Sequence, residues 1–154
     1  MIPRISEQLV AQISIVWSDD PTQFLVQINF AELTDPLQRV VAAFLYIGGW
    51  RDIRYIAENV AKRTGFGLDM RGYSYPNPNA PEADESAHFD GVNLWSYGDI
   101  MVNLSEPVFT RMISRLLTVV IDGATQTNDP AVRESWWPDL LHNAQIIAKH
   151  VAGA

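Results

Sequence analysis

Two stretches of this 154-residue chain alternate apolar and polar side chains with period two, and the stretches between and after them repeat at helical spacing. Few architectures satisfy both. In residues 12–30, Ile13, Ile15 and Trp17 point one way, Ser18 to Thr22 supplies a Pro/Asp turn, and Phe24, Val26, Ile28 and Phe30 resume the alternation. That is a β-hairpin pattern. A competing reading makes residues 5–17 one helix capped by Ser6; a short helix or coil to about Val10, followed by the strand, fits the alternation better. His88 to Leu104 reads as a second hairpin, with Gly98-Asp99 suited to a type I′ or II′ turn.

The helical runs carry their own punctuation. Asp35-Pro36 pairs an N-cap with a Pro at the first helical position, and Leu37, Val40, Val41, Phe44 and Leu45 form an apolar stripe that Gly48-Gly49 ends. A second helix runs from about Asp52 to Thr64, with Gly65 as the residue that closes it. Ser105-Glu-Pro opens a third, whose wide apolar face runs from Val108 to Val120 and stops at Gly123. Asp129-Pro130 starts another helical segment, and Pro138 leads into a final helix carrying Leu140, Leu141, Ala144, Ile147 and Val151. Residues 65–87 show Gly and Pro punctuation without periodicity, so a long flexible loop is expected over 73–87. The expectation is α+β: one antiparallel sheet built from two β-hairpins, with four to five helices packed on it. A chain of this length forms one domain, residues 1–154, and buries about 70% of its unfolded surface.

Charge is distributed unevenly. No Lys or Arg occurs from Gly72 to Thr110, but six acids do: Glu82, Asp84, Glu85, Asp90, Asp99 and Glu106. Almost all of the net charge of −7 falls in that window, because the rest of the chain nearly balances. A pI near 4.8 opposes binding to nucleic acid or to anionic membrane surfaces, both of which require clustered bases. A concentrated negative surface suits a basic partner instead.

Most chemistries find no motif. There is no cysteine, which excludes disulfides, thiolate zinc sites and cysteine nucleophiles. His88, His142 and His150 form no metal-ligand spacing, and Glu82, Asp84 and Glu85 lack the register of a calcium loop. Nucleophile-elbow and phosphate-cradling glycine motifs are missing. No cofactor or metal is therefore expected. No charged stretch followed by an apolar one marks a signal peptide, and the longest apolar run, Val40 to Trp50, falls far below the roughly 20 residues that span a bilayer. The expected setting is the cytoplasm. His88 and Asp90 sit two residues apart on one expected strand face and could serve as an acid–base pair.

The aromatic residues divide by context. Trp17 and Trp50 belong to apolar patterns and are expected in the core. Trp136-Trp137 must place one ring inward and the other partly outward, and this segment is the natural surface for self-association. Trp95 and Tyr97 share a hairpin face with Asn93 inside the acidic window, where they can anchor a partner that the acids steer.

The run Gly72-Tyr-Ser, then Phe89-Asp-Gly-Val92, Gly98-Asp99 and Val102-Asn-Leu104 leading into a helix with Phe109, resembles bacterial immunity proteins of polymorphic and contact-dependent growth inhibition toxin systems. The resemblance spans roughly residues 72–120. It implies a small acidic α+β inhibitor, not an enzyme, that binds a cognate toxin domain, and it carries over no specific residue. Read together with the charge pattern, the partner-binding residues are Glu82, Asp84, Glu85, Asp90 and Asp99 for electrostatic capture and Trp95 and Tyr97 as anchors. The competing expectation is a small enzyme or ligand-binding domain with a pocket near His88 and Asp90.

Overall fold

A computed structural model of the chain describes residues 2–68, 70–96 and 100–153. The element order is α1 (Glu7–Ala11), β1 (Val16–Trp17), β2 (Val26–Gln27), α2 (Pro36–Leu45), α3 (Trp50–Ala61), β3 (Phe66–Leu68), β4 (Arg71–Ser74), β5 (Val92–Ser96), β6 (Met101–Leu104), α4 (Glu106–Thr127) and α5 (Trp137–Ala152). Short 3₁₀ turns lie at 30–32, 85–87 and 130–133. The architecture is α+β, with a four-stranded antiparallel sheet in the order β3-β4-β5-β6 and a separate two-stranded ladder, β1-β2.

The main sheet is indeed made of two hairpins, but one of them is 66–74 and not 12–30. The stretch read as β1–β2 pairs over only two residues a side, Val16 with Gln27 and Trp17 with Val26. Leu25 and Val26 are both fully buried, which a two-faced strand does not allow, and the Leu25 amide donates to the Ile47 carbonyl at 3.1 Å. The segment is thus held by the chain after α2 instead of by a long ladder. Conversely, Tyr73 and Ser74, placed by the sequence reading in a loop, lie on β4. The irregular segment proper runs from 75 to 91, and turns and a 3₁₀ turn punctuate it.

Local chemistry explains the helices. Asp35 Oδ1 accepts from the amides of Leu37 and Gln38 at the start of α2, and Ser105 Oγ accepts from Val108 at the start of α4. α3 ends earlier than expected, because Arg63 and not Gly65 adopts the left-handed turn, at φ 56°. α4 passes straight through Gly123 and stops at Asn128, which takes the left-handed cap at φ 53°. Gly123 serves packing: the Trp17 ring lies so close that a Cβ there would come within 2.3 Å of Trp17 Cδ2.

The two sheet faces differ in kind. Tyr73, Leu94 and Val102 align across β4, β5 and β6 and are buried beneath the helices, where Tyr73 packs on Phe109 of α4 at 5.1 Å between ring centroids. α2 lies on β5 and β6, and the carbonyls left open at its C-terminal end are met by Arg71 of β4. Arg71 Nη1 donates to the carbonyls of Ala43 at 3.2 Å and Tyr46 at 2.9 Å, placing a buried cation at the negative end of the helix. The opposite face carries the rows Gly67, Gly72, Trp95, Met101 and Ser74, Asn93, Asn103. The functional question concentrates on that second face.

Candidate functional site: the outer face of the sheet

The outer face is sparsely furnished. A Cβ on Gly72 would meet Trp95 Cζ2 at 2.4 Å, so the absence of a side chain at Gly72 lets the indole lie flat across the neighbouring strand. Trp95 is half-buried there, one ring face on the sheet. Met101 pairs with it from β6. Met70 and Ile100, next to the sheet's ends, are exposed at 69% and 59%.

The next row is polar and closed on itself. Asn103 Nδ2 donates to Asn93 Oδ1 at 2.9 Å and to the Asp90 carbonyl at 2.8 Å. Asn103 Oδ1 accepts from Arg4 Nε at 2.6 Å, and Arg4 Nη2 donates to the Asp90 carbonyl at 3.2 Å. Residues 3–5 are strapped along β6 by two backbone bonds, Asn103 amide to Pro3 carbonyl and Ile5 amide to Asn103 carbonyl. Gly91, at φ 84°, makes the close approach possible, since a Cβ there would meet the Leu104 carbonyl at 2.1 Å and Arg4 Nη2 at 3.0 Å.

A groove of about 730 Å³ runs over this row. The strap at Ile2 to Arg4 forms one wall, the segment Glu85 to Asp90 forms the other, and Asn93, Met101 and Asn103 form the floor. It continues around His88 and Phe89 into a second concavity of about 470 Å³ beneath Pro76 and Pro78, bounded by Arg63. There Arg63 forks onto Glu106 (Nε to Oε1 2.6 Å, Nη2 to Oε2 3.0 Å) and stacks over the Tyr75 ring at 5.0 Å. The hydrogen bonds that Arg63 donates to Glu106 hold the guanidinium above its ordinary pKa, and burial holds the Tyr75 hydroxyl well above its own.

The expected site residues separate into three groups. Glu85 and Asp90 line the groove together, with their carboxylates exposed. Trp95 stands on the same sheet face, two residues along β5 from Asn93. Glu82 and Asp84 are exposed and do not line the groove. Asp99 and Tyr97 lie outside the described residues. Among the described residues none of Glu82, Asp84, Glu85 and Asp90 forms an ion pair.

His88 and Asp90 do not share a strand face, because β5 begins only at Val92. His88 Nε2 lies 3.2 Å from both the Ala80 and Pro81 carbonyls and so pins the loop. Among the described residues no group of three or more His, Asp or Glu is placed to hold a metal ion. The other aromatic expectation divides. Trp137 is buried at 7% and Trp136 only half-buried, as adjacency requires, whereas Trp17 and Trp50 are half-buried at the core's edge and not enclosed by it.

No family model, curated protein or solved structure matches the chain. The site therefore has to be read from its own chemistry. Arg4, Asn103, Met70 and Ile100 were not singled out in the sequence. Arg4 and Asn103 become partners only through a sheet register that joins residues 99 apart. Met70 and Ile100 had a local signal, since an apolar residue at a hairpin tip has nothing to pack on. No described helix is long and apolar enough to cross a membrane.

Proposed function

We propose that this protein is a non-enzymatic inhibitor of the immunity-protein type, which binds and neutralises a basic toxin or effector domain in the cytoplasm. The observation that carries the reading is the outer sheet face. It presents exposed carboxylates without ionic partners beside a half-buried Trp and its strand neighbour Met101. Unpaired surface acids raise the rate of encounter with a cationic body, and a rigid aromatic ring with apolar neighbours slows its departure. Bases elsewhere are committed: Arg63 to Glu106, Arg111 to Glu7, and Lys62 to Glu58. Near the 75–91 segment Arg4 offsets part of the charge of Glu82, Asp84, Glu85 and Asp90, and a negative excess remains.

The test is to read the gene immediately upstream and, where it encodes a large secreted protein, to measure binding to that protein's C-terminal domain at low and at high salt. Tight binding whose association rate falls steeply with salt is expected. An association rate insensitive both to salt and to neutralising Glu82, Asp84, Glu85, Asp90 and Asp99 together would sink the mapping.

A second reading has one observation in its favour, the groove beside His88 and Asp90, whose volume suits a small ligand. Against it, the Nε2 of His88 is engaged by two loop carbonyls, which leaves the imidazole a structural task. Turnover of any substrate that stopped in His88→Gln, with the fold intact, would favour this reading over the first.

A further inference from the structure

We infer that the groove over Asn93 is the seat of one extended cationic segment of the partner, whose Arg or Lys side chains reach Glu85 and Asp90 while an adjoining apolar residue rests on Trp95 and Met101. The inference builds on the reading of the protein as a binder of a basic partner and says which part of the acidic window grips and which part only attracts.

The charge accounting inside the groove selects the occupant. Two described bases line it, Arg4 and His88. Arg4 donates to Asn103 Oδ1 and the Asp90 carbonyl, neutral acceptors that fix its guanidinium without cancelling its charge, and His88 Nε2 lies against the Ala80 and Pro81 carbonyls. The carboxylates of Glu85 and Asp90 have no ionic partner among the described residues. Two carboxylates against one guanidinium leave the groove with an excess of negative charge, carried on the Glu85 to Asp90 wall. An anion would meet it unfavourably.

The floor selects the form of the occupant. Asn93 Oδ1 is occupied by Asn103, and Asn103 by Arg4 and the Asp90 carbonyl, so the floor is flat and largely self-satisfied. It offers little directional recognition to a compact polar ligand. Specificity then rests on charge at the wall and on the apolar end at Trp95 and Met101. These features succeed one another along the sheet and suit a chain laid lengthwise. Long cationic side chains place an apolar stem on such a surface while the head reaches the carboxylates.

Glu82 and Asp84 lie outside the walls, and their role is confined to steering. This separates two kinetic effects. Neutralising the outer pair lowers the association rate, whereas neutralising the inner pair raises the dissociation rate.

The experiment is a titration of the intact protein, followed by amide NMR, with a hexa-arginine peptide carrying one C-terminal Leu, and with free arginine amide in parallel. The expected result is saturable shifts of the Asn93 and Asn103 side-chain amides and the Trp95 indole N–H. Glu85→Gln with Asp90→Asn should weaken binding by about tenfold, and Glu82→Gln with Asp84→Asn by less than about threefold. All four positions are exposed and the substitutions isosteric, so the fold is retained. Shifts confined to residues 76–84, or equal losses from the two pairs, would overturn the groove assignment while leaving an acidic binder intact. Equal affinity for free arginine amide would overturn the extended occupant in favour of a small ligand. A peptide that fails to bind even at low salt would overturn the groove assignment, while the proposed function stands or falls on the salt dependence of binding to the upstream-encoded domain.

Discussion

Trp17 and Gly123 lie in direct contact, the indole resting on the bare Cα of α4 so closely that a methyl group at 123 would come within 2.3 Å of Cδ2. This contact fastens the β1–β2 ladder to the longest helix, and it decides the sign of a substitution that helix propensity alone would misjudge. Gly to Ala within a helix ordinarily stabilises by up to about 1 kcal/mol. Gly123→Ala should instead destabilise by roughly 1–3 kcal/mol, the range for overpacking a filled site. In a double-mutant cycle with Trp17→Ala, much of that cost should vanish. Urea midpoints of the four proteins provide the check, and strict additivity would contradict the contact.

Arg71 has a comparable role at the end of α2. Its guanidinium is buried and donates to carbonyls that the helix leaves open. Arg71→Met keeps the stem and deletes the donors. A loss of about 2–3 kcal/mol is expected from the exposed carbonyl ends, with Arg71→Lys intermediate because one ammonium cannot reach several acceptors at once.

Tyr73 should respond differently. Its hydroxyl is buried and, among the described residues, finds no hydrogen-bond partner. Tyr73→Phe is therefore expected to be neutral or stabilising by up to about 1 kcal/mol. Burial holds the phenols of Tyr73 and Tyr75 above the ordinary value of 10.0. A raised folded-state pKa favours the fold fully below pH 10. Above it the unfolded chain releases protons that the folded chain retains, and stability is lost as pH rises. The urea midpoint should be level to about pH 9 and fall beyond about pH 10, with a shallower fall in Tyr73→Phe.

Arg63 balances two opposed terms. Its left-handed backbone costs about 1 kcal/mol relative to Gly, while a half-exposed ion pair with Glu106 and contact with Tyr75 return less than about 1 kcal/mol each. Arg63→Gly should thus shift stability by no more than about 1 kcal/mol, whereas Arg63→Ala, which keeps the strain and loses the contacts, should cost more. Thermal melts of the pair distinguish the two, and the opposite order would refute the balance.

Much of the fold was legible where cause and effect are close in sequence. Asp35-Pro36 and Ser105-Glu-Pro announce their helices through caps that act within three residues. β5 and β6 are visible because adjacent strands share one alternation. The hairpin at 66–74 was hidden because Gly67 and Gly72 occupy its outer face and leave no polar residue to alternate with. Their meaning depends on Trp95, more than twenty positions on. Gly123 looks like a stop for the same reason, since the ring that requires it is over a hundred residues away. Within the site, Glu85, Asp90 and Trp95 could be nominated from composition. The strap and the Asn93–Asn103 floor could not, because a polar side chain gives no sign in sequence of the partner a distant register will supply.

The strap also sets an order of assembly. Arg4 and Asn103 are 99 residues apart, and closing so long a loop is entropically costly until the hairpin that carries Asn103 has formed. During synthesis Arg4 must wait for nearly a hundred later residues before its place on β6 exists. One wall of the groove is therefore the last part of the sheet to be completed, and a nascent chain holds no finished groove until β6 is in place.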